Sequence, residues 1–249
     1  MCTLIALWHV VDGYYIVVGM NRDESLARPS GPPAFLDEDP PIVAPRDTKA
    51  GGTWIGANGK GLFAALSNRR GSVSPTARSR GLLTLETLRQ PSVRAVDVFL
   101  QREGQTHVYN PWNLVAADRE ELRFFRSGRD VGMARGHEGI NILTNEGGNV
   151  VTDPKVLTAQ NLLAKASSTS VSDAIRSLQS ALRTHYSGSD GASLCVHSAG
   201  GGNGTVSSTI LALSITDPGE NILLYADGAP CSNPFRDYHE VIRRLPGPD

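Results

Sequence analysis

Cys2 directly follows the initiator methionine, and the segment Asn21-Arg22-Asp23-Glu24 lies about one β-hairpin downstream. Cys is small enough beside the scissile bond for removal of Met1 to be expected, which leaves a thiol and a free α-amine on the same residue. The amine titrates near ~8 and the thiol near ~8.5. The amine can therefore act as base for its own nucleophile, with no His required. The plainer assignment makes Cys2 a small apolar residue at the start of an edge strand.

The elements around Cys2 distinguish the two. Residues 3–10 and 14–20 are apolar, β-branched and aromatic runs of strand length. Asp12-Gly13 between them is a two-residue hairpin signal, because a type I′ turn needs positive φ at both central positions. With that turn Val11 faces Tyr14 and Cys2 falls opposite Asp23, where directly opposed Cβ atoms are ~4.5–5.5 Å apart. A one-residue slip or bulge presents Arg22 or Glu24 instead. Asp23 would hold or orient the α-amine and Arg22 would stabilise the thiolate. Strict alternation puts Arg22 on the face away from Cys2, so both serve one site only if the strand ends or bulges there. The alternative for this charged cluster is a solvated strand exit with mutual salt bridges of little energetic weight.

The start Met-Cys-Thr followed by Asn21-Arg22-Asp23-Glu24 resembles the NRDE-motif family, that of transport and Golgi organisation protein two. Four further blocks extend the resemblance over nearly the whole chain: Gly51-Gly52-Thr53-Trp54 with Gly56 and Ala65-Leu66-Ser67-Asn68; Ile142-Leu143-Thr144-Asn145-Glu146; Gly204-Thr205-Val206-Ser207-Ser208-Thr209; and Tyr225-Ala226-Asp227-Gly228. The resemblance implies an α+β fold, the four-layer αββα sandwich of two antiparallel sheets found in N-terminal nucleophile hydrolases. The nearest mechanistic relatives it implies are Cys enzymes of the choloylglycine hydrolase and penicillin V acylase kind, which cleave non-peptide C–N amides through a thioester. Arg22 and Asp23 match the Arg and Asp that follow the nucleophile there. Asn68 matches the side-chain donor of the oxyanion hole, and Asn145 the Asn that contacts the reacting centre. One position departs: Gly204-Thr205-Val206 stands where many members read Gly-Thr-Arg, which removes a cation from thiolate stabilisation.

Composition fits one soluble globular domain over residues 1–249. With 40% hydrophobic residues the chain can bury a large core. A net charge of −1 gives no reason to expect nucleic acid or an anionic membrane as partner. The three cysteines, at 2, 195 and 231, are too few and odd in number for a disulfide framework. Cys195 reads as a buried strand residue and Cys231 as a loop thiol of no evident role. The apolar N-terminus lacks a basic n-region and a small-residue cleavage site, and no stretch has transmembrane length. A reducing, cytoplasmic location is expected.

Residues 28–49 hold six prolines and the acidic Asp37-Glu38-Asp39, and read as a long functional loop. Strands are expected at 54–57 and 62–67 around the turn signal Asn58-Gly59, at 113–117 and 122–126, at 139–143, and later at 192–196, 208–215 and 222–226. Helices are expected at about 80–89 and 93–101, the second capped by Ser92, at 155–166 and 171–183, and near 234–243. No solenoid repeat is present.

Other chemistries find less support. The six His show no metal-ligand spacing, and His9 reads as a satisfied strand residue. Asp237 and Glu240 fit a solvated helix face. Gly200-Gly201-Gly202-Asn203-Gly204 lacks the P-loop Lys and precedes a β-branched strand, so it reads as a hairpin loop. No Gly-x-Ser-x-Gly elbow occurs. No cofactor or metal is expected.

The expected reaction starts with attack of Cys2 Sγ on an amide carbonyl. Asn68 and a backbone N–H hold the oxyanion, a donor worth ~3–4 kcal/mol. Asp23 orients the amine, Asn145 positions amine or substrate, and Arg22 contributes charge. Residues 28–49 and the loop around Arg69-Arg70 would shape the pocket and choose the substrate, and the apolar strand faces suggest a small molecule with a lipophilic acyl group. Two rivals use the same scaffold: an acyltransferase working through the same thioester, and a haem or lipid carrier or chaperone, since family members are tied to such handling and fold does not fix function.

Overall fold

The computed structural model describes residues 2–164, 170–186, 191–197 and 200–247. Thirteen strands form two antiparallel sheets among these residues. The first contains β1 (Thr3–Val11), β2 (Tyr14–Ser25), β10 (Gly139–Leu143), β11 (Asn203–Ser214), β12 (Ile222–Asp227) and β13 (Arg236–Asp237), in the order β10-β1-β2-β11-β12-β13. The second runs in chain order from β3 (Ser30–Glu38), β4 (Pro41–Asp47), β5 (Ile55–Asn58) and β6 (Phe63–Asn68) to β7 (Trp112–Ala117), β8 (Leu122–Arg126) and β9 (Gly132–Arg135).

Both faces of each sheet are covered, which explains why β1 and β2 read as continuous apolar runs rather than as alternation. Leu4, Ala6, Ile16, Val18 and Met20 face the second sheet and pack with Val43, Trp54, Phe63 and Val115. Ile5, Leu7 and Val17 face outward, against α3 (Pro154–Leu163) and α4 (Val171–Leu182). Leu62, Leu66 and Leu114 face the other way, against α1 (Arg80–Leu88) and α2 (Val93–Thr106). The result is the expected α+β, αββα sandwich. A short helix, α5 (His239–Ile242), follows β13. No helix among the described residues is long and apolar enough to cross a membrane.

The β1–β2 register departs from the simple hairpin in one step. Val11 pairs with Tyr14 as the turn requires, but Trp8 pairs with Ile16. His9 and Val10 therefore stand against Tyr15 alone, a two-against-one bulge. His9 takes φ +54 there, and its ring nitrogen Nε2 lies 2.9 Å from the Arg119 carbonyl oxygen. Beyond the bulge Thr3 pairs with Asn21, so continuing the register sets Cys2 against Arg22, not Asp23. The bulge corrects the expected Cys2–Asp23 opposition.

Four other expectations change. The proline-rich stretch is a hairpin, β3–β4: Pro32 and Pro33 lie on the edge strand β3 at a register shift, Pro41 opens β4, and Pro45 faces that shift, positions where a missing N–H costs little. Residues 192–196 form no strand; Leu194 and Cys195 donate their N–H groups to the Thr184 carbonyl, outside the sheet. Residues 236–237 pair with β12, and the last helix is confined to His239–Ile242. Part of the helix expected at 155–166 falls on residues 165–166, outside the described residues; the described helix is Pro154–Leu163.

Candidate active site

Cys2 immediately precedes β1 and is 6% exposed, with its S–H donating to the Asp23 carbonyl oxygen at 4.0 Å. A cleft of about 320 Å³ opens beside it, lined by Cys2, Arg22, Asp23 and Asn68 among others. Four of the five residues singled out by sequence thus share one cavity. Asn145 lines a neighbouring cavity of about 420 Å³ and joins the first through its side-chain amide, which donates to the Asn68 carbonyl. Asn113 fixes that loop in turn, donating to the Asn145 carbonyl at 2.9 Å and the Thr144 carbonyl at 3.2 Å.

The four residues of the Asn21–Glu24 segment have separate structural positions. Asn21 Nδ2 donates to the carbonyls of Leu182 and Leu194, both at 2.8 Å, and so holds the end of α4 against β2. Arg22 follows Met20 on the face toward the second sheet. Its guanidinium lies 4.1 Å from the Trp54 ring centroid and 3.8 Å from Asp47 Oδ2. Arg22 Nη1 is buried and has no hydrogen-bond partner among the described residues. Asp23 accepts from Thr205 Oγ1 at 2.6 Å and pairs with Lys155 Nζ at 3.3 Å. Glu24 lines the cleft and accepts from the Ser25 N–H at 2.9 Å.

A second bulge makes this arrangement possible. Thr205 pairs with Asp23 and Ser207 with Arg22, so Val206 is the extra residue on β11. Val206 does not line the cleft. Cations reach the cleft from other elements instead: Arg28, Arg78 and Arg80 line it together with Arg22. Arg80 donates to the Pro111 carbonyl at 3.0 Å. Burial pulls its guanidinium below the ordinary value, against the opposing pull of Glu24 and Cys2.

Burial also pushes the Cys2 thiol up, and the Asp23 carboxylate adds to the rise. The hydrogen bond to the Asp23 carbonyl and the Arg22 charge oppose it. Burial raises the Asp23 carboxyl as well, against Lys155 and the Thr205 hydroxyl. The thiol therefore rests protonated and needs a base before it can attack.

Sequence reasoning missed Lys155, Thr205, Asp47, Trp54 and Arg80, although most lie in or beside the recognised blocks. Asp153 caps α3, accepting from the Lys155 N–H at 2.9 Å and from Thr144 Oγ1 at 2.5 Å. This ties the 142–146 block to the residue that meets Asp23. Gly52 has an equally specific role. A Cβ there would lie 2.1 Å from the Gly81 carbonyl carbon, so only glycine lets the 51–54 loop reach the start of α1. That contact sets Trp54 under Arg22 and Arg80 at the cleft. Asp47 closes the same region, accepting from Arg28 Nε and Nη2 at 2.9 and 2.7 Å.

The Arg69-Arg70 pair does not line the Cys2 cleft. Arg69 donates to the Ser127 carbonyl at 2.7 Å, and Arg70 lines the neighbouring cavity beside Glu146. Among the described residues, folding also brings His185, Cys195, His197 and Cys231 together, outside the lining of the cleft.

The fold is shared with known proteins. The chain is similar to solved structures of a conjugated bile acid hydrolase mutant from Clostridium perfringens (13% identity, TM-score 0.52, 96% of each chain covered) and of penicillin V acylase from Agrobacterium tumefaciens (11%, TM-score 0.56, 91% of this chain and 83% of that one). It is also similar to a Caenorhabditis elegans N-acylethanolamine-hydrolyzing acid amidase ortholog (14%, TM-score 0.55, 98% of each). At these identities the likeness establishes the N-terminal nucleophile hydrolase fold and nothing finer. Among curated proteins, the Transport and Golgi organization 2 homologs of Mus musculus and Homo sapiens are 32% and 33% identical over 111 residues. Those matches span 43% of this chain and 40% of each relative. The family model described as Transport and Golgi organisation 2 matches residues 1–215, and the chain belongs to that family.

Proposed function

We propose that this chain is an N-terminal cysteine amidohydrolase that cleaves a linear, non-peptide C–N amide through a thioester once Met1 is removed. The observation that carries the reading is the convergence of Cys2, Arg22, Asp23 and Asn68 on one cleft, with Arg22 on the face of the nucleophile.

Removal of Met1 frees the Cys2 amine, which takes the Sγ proton as the thiolate attacks the carbonyl carbon. Asp23, held between Lys155 and Thr205, orients that amine. The Asn68 side chain donates to the oxyanion, and Asn145 fixes the Asn68 backbone from behind. Collapse of the tetrahedral intermediate breaks the C–N bond, and the leaving amine departs with the proton. Water then attacks the thioester, releasing the acid and restoring the thiol. Arg22 supplies positive charge to the thiolate through its unpartnered Nη1.

The lining also bears on the substrate. Arg22 and Arg28 share Asp47, Arg78 pairs with Glu86 and Glu103, and Arg80 lines the cleft with no ion pair among the described residues, beside Asp23 and Glu24. Such walls suit an amide carrying an acidic group better than a long apolar acyl chain, a haem or a lipid tail. We therefore favour a polar, acid-bearing amide over the lipophilic substrate expected from strand composition.

The test is a panel of N-acyl amides, with and without a carboxylate on the acyl side, incubated with the processed protein and with a Cys2→Ala variant. Amine release that requires Cys2 and favours carboxylate-bearing members supports the reading. Equal release by both proteins, or none across the panel, contradicts it. Added acceptor amines distinguish transfer from hydrolysis by product mass.

A further inference from the structure

Four side chains from three separate stretches meet outside the cleft. His185 follows α4, Cys195 and His197 lie in the 191–197 segment, and Cys231 sits in the turn after β12. One ligand atom from each lies within 4.8 Å of all the others. Cys195 Sγ is 3.7 Å from Cys231 Sγ and 3.7 Å from His197 Nε2, and His197 Nε2 is 3.1 Å from Cys231 Sγ. The His185 and His197 ring centroids are 5.0 Å apart.

Tetrahedral zinc, with Zn–S about 2.3 Å and Zn–N about 2.0–2.1 Å, sets S···S near ~3.8 Å and S···N near ~3.6 Å. The Cys195–Cys231 and Cys195–His197 separations match these values, while His197–Cys231 is shorter at 3.1 Å and the four ligand atoms stay within 4.8 Å of one another. The sulfur separation is far from the ~2.05 Å of a disulfide, and both cysteines are free. A hydrogen-bonded thiol pair accounts for the two sulfurs but not for two imidazole nitrogens gathered beside them.

We propose that His185, Cys195, His197 and Cys231 form a structural zinc site. Four protein ligands fill the tetrahedron and leave no position for water or substrate, as in structural rather than catalytic zinc centres. Two thiolates balance the charge of one divalent ion. Soft sulfur donors with imidazole disfavour calcium and magnesium, which take oxygen ligands. Cys195 is buried while the other three ligands are exposed, which gives the ion a route in.

The site fastens the segment that supports Asp23. Val196 N–H donates to Thr205 Oγ1 at 2.9 Å, and Thr205 N–H returns a bond to the Val196 carbonyl at 2.9 Å. Thr205 Oγ1 in turn donates to Asp23. Zinc thus holds a segment two hydrogen bonds away from the cleft, without entering it.

The test uses the full chain, carrying no polyhistidine tag and purified under reducing conditions. Elemental analysis is expected to find about one zinc per chain. Cobalt(II) exchanged for zinc is expected to give the visible d–d and thiolate charge-transfer bands of a tetrahedral sulfur–nitrogen site. Cys231→Ser and His197→Ala lose both signals, whereas Cys2→Ala keeps both, so the outcome is independent of any hydrolysis. Folded wild-type protein with neither zinc nor cobalt bands would overturn the proposal. So would cobalt bands that persist unchanged in Cys231→Ser, or a Cys195–Cys231 disulfide in the reduced preparation. Because metal-free wild-type protein refutes the proposal by itself, a variant that fails to fold leaves it falsifiable.

Discussion

Lys155 Nζ lies 3.3 Å from Asp23 Oδ2, with the two side chains 5% and 3% exposed. The pair joins the first turn of α3 to the end of β2, and Lys155 also donates to Thr3 Oγ1 at 3.0 Å. One buried cation thereby holds both strands that carry the candidate nucleophile and its carboxylate. Removing one partner of such a pair takes away part of the compensation of a buried charge. Lys155→Met is expected to destabilise the fold by about 3–5 kcal/mol. Combining it with Asp23→Asn is expected to recover a large part of that loss. Urea unfolding of the two single variants and the double variant checks the coupling.

The Cys2 thiol is expected to titrate above the ordinary thiol value, because burial disfavours the thiolate. Its alkylation rate, followed at the Cys2 peptide by mass spectrometry, should therefore rise with pH to a midpoint above about 8.5 in chains that retain Met1. Arg22 opposes the rise, so Arg22→Gln is expected to move the midpoint higher still. The sign for stability follows. The folded state keeps its proton longer than the unfolded chain, so this contribution is intact below the unfolded thiol value. It is lost as pH climbs through the folded value.

Asn68→Ala is expected to lower kcat on any substrate by about 10²–10³-fold while changing KM little, as loss of one oxyanion donor does. Asn145 acts through the Asn68 backbone, so Asn145→Ala should give a smaller fall. Steady-state kinetics of both variants on one substrate makes the comparison.

Arg80 has a different expected signature. Its hydrogen bond to the Pro111 carbonyl leaves the guanidinium free of any ion pair among the described residues. Arg80→Met is expected to raise KM for acid-bearing amides about tenfold, the loss of a charge-assisted hydrogen bond, and to leave neutral amides nearly unaffected. A parallel rise for both substrate types would assign Arg80 to structure alone.

Gly52→Ala tests how the cleft is assembled. The added Cβ would collide with the Gly81 backbone, which no side-chain rotation relieves. A loss of about 1–3 kcal/mol is expected, read by thermal or urea unfolding, together with weaker binding of acid-bearing ligands because Arg80 lies next to Gly81.

Much of this site was legible because it is local. The Asp12-Gly13 turn, the strand runs and the Asn21–Glu24 segment sit within one hairpin, and the turn pairing Val11 with Tyr14 is as expected. The register beyond it was not legible, since a bulge at His9 is fixed by a tertiary contact with Arg119 that no local pattern encodes. The β3–β4 hairpin was hidden by prolines, which fit a strand only at an edge, a bulge or a strand start. Lys155 was hidden for another reason. Near the start of a helix it reads as a solvated charge, and only packing of α3 on the sheet buries it. The His185–Cys231 cluster joins residues on both sides of the β11–β12 hairpin, a proximity that depends on the whole sheet being formed.

The most direct measurement is intact-mass analysis of the purified chain, before and after exposure to an activated, carboxylate-bearing amide, beside a Cys2→Ala variant. The expected result is a chain lacking Met1 that gains one acyl group, located at Cys2 by peptide mapping and absent from the variant. A chain that retains Met1, or a processed chain whose Cys2 stays unacylated, would contradict the nucleophile assignment.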